Sequence, residues 1–228
     1  MRKQTKAALG AGAIVVAVLA TLLLVGQAGE DDGGAAAVET PAQESAVVRT
    51  DSRILGEEGS SDVTFVEFLD FECEACRAAY PVVEDLRAKY AGEVTFVIRY
   101  FPLPGHFNSE RAARAVESAA RQGELEAMYS KMYETQESWG ESQEPADDLF
   151  RSFAEDMGLD MEQYDADYTS DEVADRVARD LEDGTTLGVQ GTPTFYVDGE
   201  LFQPETVGGS PRVSSSPGWW VWSPRRCC

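Results

Sequence analysis

A chain of 228 residues with 41 acidic and 19 basic side chains, net charge −22, has room for one sizeable core plus appendages. That charge argues against nucleic acid as a partner, because affinity for a phosphate backbone comes largely from Lys and Arg displacing counterions. It suits a soluble domain kept monomeric by self-repulsion.

Arg2, Lys3 and Lys6 precede Ala7 to Gly29, an uncharged stretch rich in Ala, Val and Leu. Roughly 20 apolar residues are enough to cross a hydrocarbon core, so residues 1–29 are expected to act as a signal-anchor. A second reading stays open, a signal peptide cleaved near Gly26-Gln27-Ala28. With the basic end inside, everything that follows is expected outside the cytoplasm. Residues 30–50 are rich in Ala, Gly and acid, without apolar period, and are expected to form a flexible acidic linker.

The segment from 51 to 207 carries the periodic elements. Val63 to Leu69 (VTFVEFL) is β-branched and aromatic, and is followed by DFECEAC; apolar residues then recur at helical spacing through Tyr80, Val83 and Leu86. With a second strand over Val94 to Tyr100, this predicts a βαβ unit of a mostly parallel sheet. A helical insertion follows: Arg111 to Gln122, Leu125 to Glu137, a helix opened by Pro145 in its first turn, and one over Val173 to Leu181 capped by Thr169 with Glu172. Thr194 to Val197 and Glu200 to Phe202 flank Asp198-Gly199, a dipeptide that supplies the positive φ a two-residue hairpin requires. The fold class read from this order is α/β.

Cys73-Glu74-Ala75-Cys76 places two thiols at a helix start, directly after a strand. Backbone N–H groups and the helix dipole there favour a thiolate on Cys73, with its sulfur exposed and that of Cys76 turned inward. Such a pair can attack a disulfide with its first sulfur and resolve the mixed disulfide with its second. A zinc site lacks ligands, since His106 is the sole histidine and the other cysteines, Cys227 and Cys228, are terminal. Haem attachment fails because Arg77, not His, follows Cys76. A structural disulfide stays open, although so small a loop constrains little chain entropy.

Strand, Cys-x-x-Cys at a helix start, helical insertion and Gly191-Thr192-Pro193-Thr194 before a hairpin together resemble the DsbA-like branch of the thioredoxin superfamily, over about Arg53 to Val207. The resemblance implies a thioredoxin-like fold and a thiol:disulfide oxidoreductase. It implies a cis Thr192-Pro193 bond that presents backbone to substrate beside the cysteines. It also implies that Glu67, six residues before Cys73, is a buried acid moving protons to and from Cys76, against the rival reading of a solvent-facing glutamate. No metal or organic cofactor is implied. The partners are thiols and disulfides of secreted or cell-envelope proteins, together with a membrane redox partner. Glu74 departs from the dipeptides of strongly oxidising relatives, and its charge is expected to raise the Cys73 pKa, which leaves oxidase, reductase and isomerase directions open. His106 is read as a loop residue, and Met128, Tyr129, Met132 and Tyr133 as a core-facing helix side.

From 208 to 228 the composition changes to GGSPRVSSSPGWWVWSPRRCC, with no helical or strand period. An altered reading frame or a disordered segment would each account for it, and no role is assigned to Cys227 or Cys228.

Overall fold

The computed structural model describes residues 47–202 together with the short strands Thr206–Val207 and Ser210–Pro211, which pair with each other. The expected anchor at 1–29 and nearly all of the 208–228 tail lie outside the described residues. Among the described residues no helix is long and apolar enough to cross a membrane.

The elements run β1 (Arg53–Ile54), β2 (Thr64–Leu69), α1 (Glu74–Lys89), β3 (Thr95–Tyr100), α2 (Ser109–Ala120) and α3 (Leu125–Thr135). A 3-10 turn (Gln136–Ser138), α4 (Asp147–Asp156), α5 (Met161–Tyr168), α6 (Asp171–Thr186), β4 (Thr194–Val197) and β5 (Glu200–Phe202) complete the domain. The β2-α1-β3 unit is parallel, with Thr64 opposite Thr95 and Leu69 opposite Tyr100. Antiparallel neighbours extend it to the order β1-β3-β2-β4-β5. The hairpin closes at Asp198 (φ 51°) and Gly199 (φ 80°), as the dipeptide predicts.

Alternation along the two central strands divides the core. Leu69, Phe96, Ile98 and Tyr100 face a cluster built largely from α1 to α5, whereas Val66, Phe68, Val97 and Phe101 face Val47, Val189 and Tyr196. On the second face α6 approaches so closely at Gly184 that a Cβ there would lie 2.7 Å from the Phe101 ring. Val47 is buried in that cluster, so the packed domain begins inside the expected 30–50 linker rather than after it.

Three local expectations shift. Pro145 precedes the N-cap of α4 rather than entering its first turn: the N-cap is Ala146, whose N–H is already held by Asn108 Oδ1 at 3.0 Å. The cap of α6 is Ser170, which accepts from Val173 N–H; Thr169 instead ends α5, its hydroxyl bonded to Asp165 O. Helix α5 was not foreseen, since its MEQYDADY sequence has little apolar period; Asp160, accepting from the N–H groups of Glu162 and Gln163, starts it.

An ionic cluster clamps α6 to the sheet. Arg99, fully buried on β3, donates through Nε to Asp180 Oδ1 at 2.5 Å and through Nη2 to Asp183 Oδ2 at 2.5 Å. Its Nη1 reaches Val47 O at 2.8 Å. Asp180 also accepts from Tyr100 N–H at 3.0 Å and pairs with Arg176 at 2.6 Å. Removing one partner from such a group strands the others without water, which is why breaking a buried pair costs more than its formation gains. Asp180→Ala is therefore expected to lower unfolding free energy by about 3–5 kcal/mol, read as a lower urea midpoint with an unchanged slope.

Candidate active site

At the end of β2 the chain leaves the sheet through Asp70-Phe71-Glu72 and enters α1 with Cys73 as N-cap (φ −72°, ψ 121°). Cys73 O accepts Arg77 N–H at 3.1 Å, so the cysteine stands at the mouth of the helix, where the N–H groups of the first turn have no partner within the helix. The structure holds both cysteines as free thiols.

The two sulfurs differ sharply in surroundings. Cys73 is held down to a pKa of about 6, first by the hydrogen bond from the Cys76 thiol, with help from Thr192 and the N–H groups of Cys76 and Ala75; burial opposes them. Burial first, and then the neighbouring Cys73, push the Cys76 thiol well up. Glu74 is exposed, where water screens its charge, so the expected upward pull on Cys73 is outweighed by the donors around the sulfur. One expectation is corrected: Cys73 is not openly exposed, with only 7% of its surface accessible, because the Thr192 loop lies against it.

The Thr192-Pro193 bond is cis, and Cys73 Sγ lies 3.4 Å from Thr192 O. β2 and β4 pair antiparallel, Phe68 opposite Thr194, which brings residues 192–193 to the same sheet end as the cysteine turn. Glu67, opposite Ile98 and Phe195 in the sheet, is buried, and its Oε2 has no hydrogen-bond partner. The solvent-facing reading of Glu67 is thereby excluded. Burial first, then repulsion from Cys73 and Glu84, raise its pKa to about 8. It is close enough to add to the upward push on Cys76. The structure thus brings Cys73, Cys76, Glu67, Thr192 and Pro193 together.

Several neighbours were not legible in the sequence. Gln136, buried at the start of the 3-10 turn, donates from Nε2 to Phe71 O (2.7 Å) and Cys73 O (3.0 Å), tying the helical insertion to the cysteine turn. Nothing in a lone glutamine at a helix end signals this. Tyr129 and Tyr133 do face the core, as expected, but they also wall the site: their rings pack on Phe71 and Tyr80 within 5.2–6.1 Å. His106 is a loop residue that pairs with buried Asp70, Nδ1 to Oδ2 at 2.6 Å.

Two measurements follow from these environments. Iodoacetamide alkylation of the folded, reduced chain is expected to label Cys73 with an inflection near pH 6, while Cys76 stays unmodified. Because the folded pKa of Glu67 is raised, its contribution to stability is complete at acid pH and is lost as pH climbs from the ordinary carboxylate range through about 8. The unaltered chain should accordingly lose stability relative to Glu67→Gln across that window, as read by urea melts at successive pH values.

The model of the family described as thioredoxin matches residues 49–209. A thioredoxin-like oxidoreductase from Silicibacter pomeroyi DSS-3 is similar at 33% identity and a TM-score of 0.58, over 70% of this chain and 87% of that one. At 20% and 22% identity, alpha-DsbA2 from Wolbachia pipientis (TM-score 0.59; 72% and 83% covered) and BdbD from Bacillus subtilis (0.57; 66% and 83%) share the fold. The Na(+)/H(+) antiporter NhaA of Herminiimonas arsenicoxydans is 35% identical over 139 residues, 61% of this chain. That stretch is 21% of the antiporter, so the chain spans about a fifth of the curated relative's length. Fold, family match and the Silicibacter pomeroyi neighbour agree, and the chain belongs to the thioredoxin family.

Proposed function

We propose that this chain exchanges disulfides with secreted or cell-envelope proteins through Cys73 and Cys76, from a position outside the cytoplasm to which residues 7–29 tether it. The observation that carries the reading is the asymmetry of the pair: one thiol held at about pKa 6 beside an open helix end, the other buried and held protonated. A nucleophile and a resolving thiol need those two environments.

In the reducing direction, the Cys73 thiolate attacks one sulfur of a client disulfide, forming a mixed disulfide and expelling the client's other sulfur as thiolate. Cys76 gives its proton to ionised Glu67 and attacks Cys73 Sγ, releasing the second client sulfur. The client disulfide is reduced to two thiols and the pair is oxidised to Cys73–Cys76. Disulfide donation is the same path reversed: a client thiolate attacks Cys73 Sγ, Cys76 leaves as thiolate and takes a proton from Glu67, and a second client thiolate displaces Cys73. Thr192 and Pro193 present backbone to the extended client segment.

The stable Cys73 thiolate favours the donating direction, since a low-pKa sulfur leaves readily and stabilises the reduced enzyme. Turnover then needs an oxidant, which a membrane redox partner supplies by accepting two electrons from the pair. The apolar stretch at 7–29 behind three basic residues supports the tether; a secreted form after cleavage is the competing outcome.

Equilibration of the full chain against glutathione buffers, with Cys73 and Cys76 counted by mass, tests the direction. A potential near roughly −120 to −180 mV is expected. About −270 mV would mark a reductase, and a pair that resists reduction below roughly −300 mV would mark a structural bridge and end the exchange reading.

A further inference from the structure

His106, the single histidine of the chain, has no part in the exchange steps above. It sits in the loop between β3 and α2, and three contacts fasten that loop to the turn that carries Cys73. Leu103 N–H donates to Asp70 Oδ2 at 3.0 Å, the His106 ring meets the same oxygen at 2.6 Å, and Asn108 N–H donates to Glu72 Oε2 at 2.6 Å. From the turn itself, Glu72 N–H reaches Asp70 Oδ1 at 2.9 Å and Cys73 N–H reaches Asp70 O at 3.2 Å. Asp70 is therefore a buried carboxylate shared by the loop and the turn.

That arrangement poses a charge problem. Asp70 and Glu72 are both buried within three residues of Cys73, and like charge opposes a thiolate. The groups that face His106 are Asp70 from the end of β2 and Glu72 and Cys73 from the turn, while α2 meets it through the neutral Ser109 hydroxyl, bonded to His106 O. His106 is the cation among them.

We propose, resting on the exchange reading, that His106 is the electrostatic partner of Cys73: its imidazolium neutralises Asp70 beneath the turn and so lets the Cys73 thiolate form among acidic neighbours. It acts as a positioning residue, through Asp70 and through its field. The hydrogen bond that Nδ1–H donates to Asp70 first, against partial burial, holds the imidazolium up to about pH 9, so the cation is present throughout the range in which Cys73 ionises. In this chain the cation comes from a loop outside the Cys-x-x-Cys dipeptide, where Glu74 and Ala75 supply none.

Coupling between two ionising groups is reciprocal: whatever His106 does to the proton affinity of Cys73, the thiolate does to that of His106. An NMR titration of the imidazole in the full chain, reduced and then oxidised, reads this without a substitution, and one histidine makes the assignment unambiguous. Oxidation removes the thiolate, and the proton affinity of His106 is expected to fall about three- to tenfold. Equal titration midpoints in the two redox states would overturn the proposal.

A second arm separates charge from scaffolding. His106→Gln keeps an N–H for Asp70 without the charge, and His106→Lys keeps the charge. The Cys73 alkylation inflection is expected to rise in the Gln variant and to stay low in the Lys variant; equal rises in both would assign His106 a scaffolding role and overturn the charge assignment. If Cys73 of the unaltered chain titrates in the ordinary thiol range, the exchange reading itself fails. A low inflection that ignores His106 defeats this proposal alone.

Discussion

A sulfur that must ionise at the edge of an apolar core is the demand around which this domain is built. A buried charge is costly unless donors or counter-charges surround it, and the turn from Asp70 to Cys73 is supplied with both from outside its own sequence. The start of α1 gives N–H groups, Gln136 reaches across from the helical insertion to hold two carbonyls of the turn, and the loop after β3 brings Asn108 and His106 to Glu72 and Asp70. The insertion is thus part of the site as well as its cover.

The two faces of the sheet divide the work. One is aromatic and holds Glu67 in a dry setting near Tyr129 and Tyr133, where burial raises the carboxyl to about 8 and lets it match a thiol as proton donor and acceptor. The other is pinned by Arg99 and its two aspartates. That clamp fixes α6, and α6 leads through Val189, itself packed on the sheet, into the cis Thr192-Pro193 bond beside Cys73. A contact far along the chain from the cysteines therefore helps to set where the Thr192 carbonyl stands.

Electrostatically the site runs against the rest of the molecule. A chain at −22 has little positive charge to spare, and its buried cations are committed to aspartates and glutamates in the scaffold: Arg99 to Asp180 and Asp183, and partly buried Arg53 to Glu117. The thiolate relies instead on short-range dipoles and on one histidine held by a single carboxylate. Short-range donors act at full strength in a buried turn, whereas exposed charges such as Glu74 are screened, which is why the local geometry outweighs the global charge.

The fold class, the βαβ unit, the hairpin and the cysteine pair were legible in the sequence because each is a local signal: period-two alternation, a helix beginning after a strand, an Asp-Gly turn, two thiols three apart. Glu67 was legible as an acid in an apolar strand, although which way it faced was not. What the sequence could not carry was anything that depended on distant segments meeting. The cap of α6 moved by one residue and α5 went unseen because competing turn residues and weak apolar period leave the choice to tertiary packing. Gln136, Asn108 and the Asp70–His106 pair became site residues only when the insertion folded back onto the turn, since a hydrogen bond between residues 36 or 65 apart leaves no trace in spacing. The sequence by itself determined that two thiols would stand at a helix start and that the first, at the mouth of the helix, would be the one to ionise; the tertiary structure decided how deeply each sulfur is buried and that Thr192 lies against Cys73, because burial and contacts between distant segments depend on how the chain folds back on itself.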